Sequence, residues 1–155
     1  MKVIKSSNGF DILVDNEDYE YFNQWKWRCH NGYACRTTRT KKLYIHRELL
    51  NFPKDKNVDH INRNRLDNRK ENLRLATVSQ NGINSDKRKD KTSSIYKGVS
   101  WSKHANMWKA RINFNKKEFH LGYFKLEDDA AEAYNTAAIR YFGEFAKLNE
   151  IKKTS

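Results

Sequence analysis

Short alternations of apolar and polar residues mark both ends of this chain, and a long polar stretch separates them. Near the start, GFDILVD (residues 9–15) and GYACRTTRTKKLYIHREL (32–49) carry brief β-favouring runs, and Asn31-Gly32 is a turn signal between strands. These runs predict a small antiparallel sheet. From Tyr44 to Phe52 the apolar residues Ile45, Leu49 and Leu50 fall at helical spacing, with Pro53 placed to stop the element. The helix leads into VDHINRNRLDNRKENLRLATVSQNGIN (58–84), where INRNRLDNRKEN reads as a loop, LRLAT as a short strand and VSQNGIN as the start of a helix.

The C-terminal pattern is sharper. IYKGVSW, MWKARINF and EFHLGYF are three β-like runs, and in the middle one Trp108, Ala110, Ile112 and Phe114 alternate with Lys109, Arg111 and Asn113. One face is core and the other basic or polar. LEDDAAEAYNTAAIRYFG then forms an amphipathic helix whose stripe is Leu126, Ala130, Ala133, Tyr134, Ala137, Ala138 and Tyr141, with Glu127, Asp128 and Asp129 suited to its N-terminus and Gly143 to its exit. By parity and helical phase, Trp108, Phe119, Leu121, Tyr134 and Tyr141 belong to the core. The charged stretch DKRKDKTSS lacks hydrophobic periodicity, so residues 86–93 read as a linker between a first domain at 1–85 and a second at 94–155. The fold class is α+β in two small modules.

Composition narrows the partners. The 155 residues carry 31 Lys and Arg against 19 Asp and Glu, a formal net charge of +12, with +8 before Ser94 and +4 from it onward. Such a balance favours a polyanion, nucleic acid first. An anionic membrane would call for a basic amphipathic helix or a lipidation signal, and neither is present in the sequence, nor is a spanning apolar run or a secretory leader. A soluble chain in the cytoplasm of a bacterial or phage-infected host cell is expected. Cys29 and Cys35 lack a second pair to complete a zinc site and read as small buried or half-buried side chains; a zinc site borrowing His30, or a disulfide, are the alternatives.

The polar stretch holds the candidate chemistry. Phosphodiester hydrolysis needs an activated water, a cation to neutralise developing charge and a scaffold that fixes both. A neutral imidazole serves as base near neutral pH, while carboxylate and amide oxygens suit Mg²⁺ or a similar hard ion. Asp59 and His60 are adjacent, and a strand, loop, strand and helix can fold back so that Asn81 faces Asp59 across a small cleft. Arg63, Arg65, Arg69 and Arg74 flank that cleft as candidate phosphate contacts. His46 is either a phosphate or structural contact near the site or a plain helix histidine, the second being favoured.

Residues 44–84, YIHRELLNFPKDKNVDHINRNRLDNRKENLRLATVSQNGIN, resemble the HNH endonuclease family with its ββα-metal (His-Me) finger, in particular the His-Asn-Asn branch of phage and intron-homing enzymes. The resemblance implies His60 as general base and Asp59 and Asn81 as ligands of a divalent metal, Mg²⁺ or alternatively Mn²⁺. It makes Asn72 the middle asparagine, which orients the histidine or braces the loop, with Asn68 as its rival. Asn81 stands where many relatives carry a histidine. Residues 94–149 resemble the Apetala-two/ethylene-response-factor DNA-binding domain through YKGVS, WKARI, HLGYF, EDDAAEAYNTAA and the closing LN. That resemblance implies a three-stranded sheet in the major groove of double-stranded DNA, with groove contacts at Lys97, Ser100, Arg111, Asn113, Glu118 and His120 and with Trp101 nearby. Arg111 stands where an acid is usual, and Glu118 and His120 replace an arginine and a tryptophan, so the plant target sequence does not transfer.

Together these readings predict a homing-type DNA endonuclease that nicks, one site per chain, with a monomer favoured because nothing resembles a heptad seam. A non-catalytic DNA-binding transcriptional regulator is the alternative. An RNA-directed protein fits less well, since a sheet shaped for the major groove does not suit the narrow A-form groove.

Overall fold

The computed structural model describes residues 1–86 and 93–151, which fall into two compact units, Met1–Asn81 and Gly82–Ser155. Most of the expected linker, residues 87–92, lies outside the described residues.

In the first unit, strands β1 (Lys2–Lys5) and β2 (Asp11–Val14) pair antiparallel, with Ile4 opposite Ile12. A helix that the hydrophobic pattern did not announce, α1 (Asn16–Asn23), follows Asp15 at its N-cap, and it buries Phe22 while presenting acids to solvent. Its apolar stripe is too narrow for periodicity to reveal. Trp27, which is fully buried, anchors the helix exit by donating its indole N–H to the Phe22 carbonyl at 2.7 Å. A second sheet holds β3 (Arg28–His30), β4 (Tyr33–Thr37) and β5 (Lys42–Tyr44), in that order and antiparallel. Asn31 and Gly32 turn between β3 and β4 with φ of +50° and +80°, a left-handed pair that asparagine and glycine adopt at least cost. Cys29 is half-buried and Cys35 buried, both as free thiols.

Helix α2 (Ile45–Leu49) is shorter than its spacing suggested, because Asn51 and Phe52 take left-handed φ values of +55° and +50° and end it before Pro53 is reached. One apolar core joins these pieces: Ile4, Ile12, Val14, Phe22, Trp27, Ala34 and Ile45. Strands β6 (Asn57–His60) and β7 (Leu73–Ala76) form the next antiparallel pair, and α3 (Val78–Ile83) follows. The strand, loop, strand and helix order read from residues 58–84 is thus present, with a 3-10 turn at Lys70–Asn72 inside the loop.

The second unit is a three-stranded antiparallel sheet of β8 (Val99–Ser102), β9 (Met107–Phe114) and β10 (Lys117–Phe124), with β9 central, backed by α4 (Glu127–Phe142). Ala130, Ala131, Ala137 and Ala138 let the helix approach closely, and Tyr134 fills the space beside Ile112. Leu126, expected on the apolar stripe, is instead the N-cap and is exposed, because the chain enters the helix there and only later turns reach the sheet. Asn149 closes the unit by accepting from the Lys97 N–H at 2.7 Å and donating to the Lys97 carbonyl at 3.0 Å, while Asn135 pairs with the Asn149 backbone in the same two-way fashion. Gly98 sits under the Tyr134 ring with φ +76°, and a Cβ there would stand 2.0 Å from the ring and 2.6 Å from the Arg111 carbonyl.

Gly98→Ala is therefore expected to destabilise the second unit by about 3–5 kcal/mol, combining left-handed strain with a backbone clash. Chemical denaturation followed by tryptophan fluorescence checks it; a loss below about 1 kcal/mol would contradict the packing described.

Candidate active site

The site begins with a loop that has almost no apolar content and is held by its own amides. Asn72 spans the neck: its Oδ1 accepts from the Asn62 N–H at 2.9 Å and its Nδ2 donates to the Asp67 carbonyl at 2.8 Å. Asn62 donates to Asp67 Oδ2 at 2.8 Å, and Asn62 and Asn64 each accept a backbone N–H two residues on. Such Asx contacts let a polar loop fold without a hydrophobic centre. The loop is stitched to β2 by Leu13, whose N–H donates to Leu66 and whose carbonyl accepts from Asn68. Asp67, buried, receives a two-pronged contact from Arg69 with both distances 2.8 Å, which holds its carboxyl below the usual carboxylate range.

This frame presents Asp59 and His60 at the end of β6. Consecutive strand residues point to opposite faces, so the two side chains enter different surroundings. Asp59 lies opposite Arg74 of β7, and the guanidinium donates twice to Asp59 Oδ2, at 2.9 and 3.0 Å. His60 lies opposite Leu73, and its Nε2 is 3.3 Å from Asn68 Oδ1. Because Asn68 Nδ2 donates to the Leu66 carbonyl at 3.2 Å, its oxygen is the atom that faces the imidazole. An oxygen there requires the proton on Nε2, which makes Nδ1 the nitrogen with a lone pair for accepting a proton. The contacts of Asn72 brace the loop, whereas Asn68 touches the histidine.

His60 is buried, and its neighbours are rings: His46 at a centroid distance of 5.2 Å and Tyr33 at 6.0 Å. Burial lowers the His60 pKa, against the opposing pull of the Asn68 contact and the Asp59 and Asp67 charges. His46 is pushed down to about 3, by burial first and by the charges of His60 and Arg47 after it. Both rings are neutral at physiological pH. Tyr33 and His46 line a cleft of about 350 Å³, together with Tyr44, Asn57, Val58 and Asn81 among others. Asn81 on α3 thus shares a cavity with the β6 residues immediately preceding Asp59. A buried carboxylate and an amide oxygen are hard donors of the kind a small divalent cation takes, so this donor chemistry fits such an ion. Among the described residues no group of three or more His, Cys, Asp or Glu side chains stands together as a metal cluster.

Of the four arginines expected to grip phosphate, Arg74 is committed to Asp59 and Arg69 to Asp67 and Glu71. Arg65 is exposed, packed over the Tyr33 ring at 4.6 Å and donating to the Asn31 carbonyl at 3.1 Å. Arg63 is exposed in the loop with φ +65°. The buried Asp67 and the ring of Tyr33 escaped sequence reasoning; Tyr33 had a faint signal in the parity of β4, and Asp67 had none.

In the second unit, the sheet face away from α4 collects Ser100, Lys109, Arg111, Asn113, Glu118 and His120, since their registers place Ser100 beside Lys109, Arg111 beside His120 and Asn113 beside Glu118. Arg111 donates to Glu118 at 2.7 Å, which lowers the Glu118 pKa. Trp101 is on the opposite face by parity, edge-on to Trp108 at 5.1 Å. Lys97 sends its ammonium to the carbonyls of Ile83 and Ser85 at 2.6 and 2.7 Å.

Residues 51–83 match the family described as HNH endonuclease. The chain is 38% identical over 150 residues to an uncharacterized HNH endonuclease of Acanthamoeba polyphaga mimivirus, covering 92% of this chain and 76% of that protein. It is 35% identical over 97 residues to Protein 3.8 of Escherichia phage T7, covering 63% of this chain and 78% of that one. A C-terminal stretch of 59 residues is 42% identical to an AP2-like ethylene-responsive transcription factor of Arabidopsis thaliana, 37% of this chain and 12% of that protein. No solved structure matches the chain.

The depressed His46 pKa has a stability consequence. The folded state keeps this ring neutral down to about pH 3, whereas the unfolded chain takes up the proton near 6.5. Stability is therefore complete above about pH 6.5 and declines as pH falls toward 3, at up to ~1.4 kcal/mol per pH unit from this one group. Unfolding free energies measured between pH 4 and 8 should show that slope in the first unit and a shallower one in His46→Phe; equal slopes would contradict it.

Proposed function

The chain belongs to the HNH endonuclease family, and from that premise we propose that it is a metal-dependent DNA endonuclease that nicks duplex DNA in the homing style, with its C-terminal module positioning the cut. The observation that carries the reading is the assembly around β6: a carboxylate and an imidazole on adjacent residues, and an amide on α3 that shares a cleft with the same strand. Asp59 and Asn81 are the residues that would hold the ion, Mg²⁺ by preference and Mn²⁺ on the same donors. When bound, that cation neutralises charge on the phosphate and the leaving oxygen.

The chain's own residues do the rest. His60 takes the proton of the attacking water on Nδ1, with Asn68 keeping the other ring proton on Nε2. Arg74 holds the Asp59 carboxylate in place, and Asn72 fixes the loop that carries Asn68. Arg65, packed over the Tyr33 ring that lines the cleft, is the best-placed candidate for a phosphate contact, since Arg69 and Arg74 already have carboxylate partners.

For the second module, the basic outer face with Arg111, Asn113, Ser100, Glu118 and His120 supports a major-groove reading. Glu118 aligns Arg111 across the strands, so the pair acts as one recognition unit. Domains at 1–85 and 94–155 joined by 86–93 form the working division, in a monomeric protein of the bacterial or phage-infected cytoplasm that acts on one strand at a time.

Supercoiled plasmid incubated with Mg²⁺, Mn²⁺ or EDTA tests the proposal. Nicking with either metal and not with EDTA is expected, and His60→Ala should lower the rate by about 10²–10⁴-fold. Duplex binding without cleavage in any divalent metal would point to the regulator instead. Arg111→Ala should cost about 1–3 kcal/mol in binding to a selected site while leaving turnover on saturated DNA intact. Equal loss of turnover would contradict the division of labour.

A further inference from the structure

His46 stands apart from the roles assigned so far. It belongs to α2, whose first residue, Ile45, is fully buried in the core of the first unit, so the ring is carried on a rigid support. The residue is only 7% exposed, and among the described residues its Nδ1 is buried without a hydrogen-bond partner. An unmet buried nitrogen is unfavourable, and such a cost in a folded protein calls for a reason. A phenylalanine would fill the same aromatic nest of Tyr33, Tyr44 and His60 without that cost.

The ring also borders the cleft that Asn81 and Val58 line, and it meets His60 nearly edge to face, with an interplanar angle of 69°. With Nδ1 enclosed, Nε2 is the ring nitrogen available to the cleft. A neutral imidazole cannot offer a full positive charge, but it can offer one directed N–H. The group that enters this cleft, on the reading that the protein cuts DNA, is a phosphodiester whose non-bridging oxygens gain charge as water attacks. A fixed neutral donor aimed at such an oxygen stabilises the transition state more than the ground state.

We propose that His46 is a second catalytic imidazole, donating a hydrogen bond from Nε2 to a non-bridging oxygen of the scissile phosphate while the neighbouring His60 acts on the water. The inference rests on the nuclease reading above. It explains the presence of a histidine on a helix face that packing alone would fill with an apolar ring. It also gives the His60–His46 contact a purpose: the two rings hold each other at the orientation that places one on the nucleophile and the other on the phosphate.

The test is steady-state nicking of supercoiled plasmid in Mg²⁺ by wild-type, His46→Phe and His46→Gln proteins, with melting temperatures at pH 7.5 as a check on folding. His46→Phe should melt no lower than wild type, keep KM within about 3-fold and lose about 100- to 1,000-fold in kcat, the range for removing one such donor. His46→Gln, which retains an N–H, should recover part of that loss. A purely structural histidine predicts the reverse pattern, with lower melting temperature and unchanged turnover of the folded fraction. Nitrogen-15 spectra of the wild-type histidines, recorded with a short DNA duplex in EDTA, give a readout that needs no variant: the His46 side-chain signals should move on binding. Wild-type turnover by His46→Phe, or unmoved His46 signals in a duplex-bound protein, overturns the inference alone. Failure of the wild-type protein to nick in any divalent metal overturns the nuclease reading and takes this inference with it.

Discussion

Asn72 joins the two ends of a loop whose one side chain packed on the core is Leu66, and the geometry of the site depends on that join. Its amide satisfies a backbone donor at Asn62 and a backbone acceptor at Asp67, so the chain between β6 and β7 closes without a hydrophobic plug. Were those two groups left unmet in a buried neck, each would cost roughly 1–3 kcal/mol and the loop would open. With the neck closed, Asn68 is carried to the imidazole of His60 and Asp67 is carried to Arg69. Local amides, not core packing, set the tautomer of His60.

The apolar core of the first unit contributes at one remove. It fixes β2, which clasps the loop through Leu13, and it fixes α2, which sets His46 beside His60. The result is a graded arrangement in which charge is paired where it is buried: Arg74 with Asp59, Arg69 with Asp67, Arg36 with Glu48. Arg63 and Arg65 remain exposed, the second packed over the Tyr33 ring. The second unit follows a different plan, with an alanine-faced helix pressed on a sheet whose other side carries Arg111, Glu118 and His120.

Legibility in the sequence followed the strength of the physical signal. The alternation through Trp108, Ala110, Ile112 and Phe114 and the stripe around Tyr134 revealed β9 and α4, which bury regular faces, whereas Phe119 of β10, expected in the core, is exposed because that strand lies at the sheet edge and buries no residue fully. In the first unit, β2, β4 and the Asn31-Gly32 turn were legible in short β-favouring runs, whereas β3 lay outside those runs and α1 was hidden because one buried Phe22 among acids makes no stripe. Pro53 looked like the stop for α2, but the left-handed Asn51 and Phe52 end it first. At the site, residue types and spacing pointed to Asp59, His60 and Asn81, but partnerships were hidden. Which arginine would be spent on which carboxylate depends on register across β6 and β7, and four arginines in one loop look alike until that register is known.

The central proposal is that Asp59 and Asn81 hold a single hard cation beside His60. Titration of nitrogen-15-labelled protein with substoichiometric Mn²⁺ tests this directly, since the paramagnetic ion broadens only nearby amide signals. The account predicts that signals from Asn57 to His60 and around Asn81 fade together, while those of β8, β9 and β10 persist. Fading that spares either β6 or α3, or that centres on another part of the chain, would contradict it.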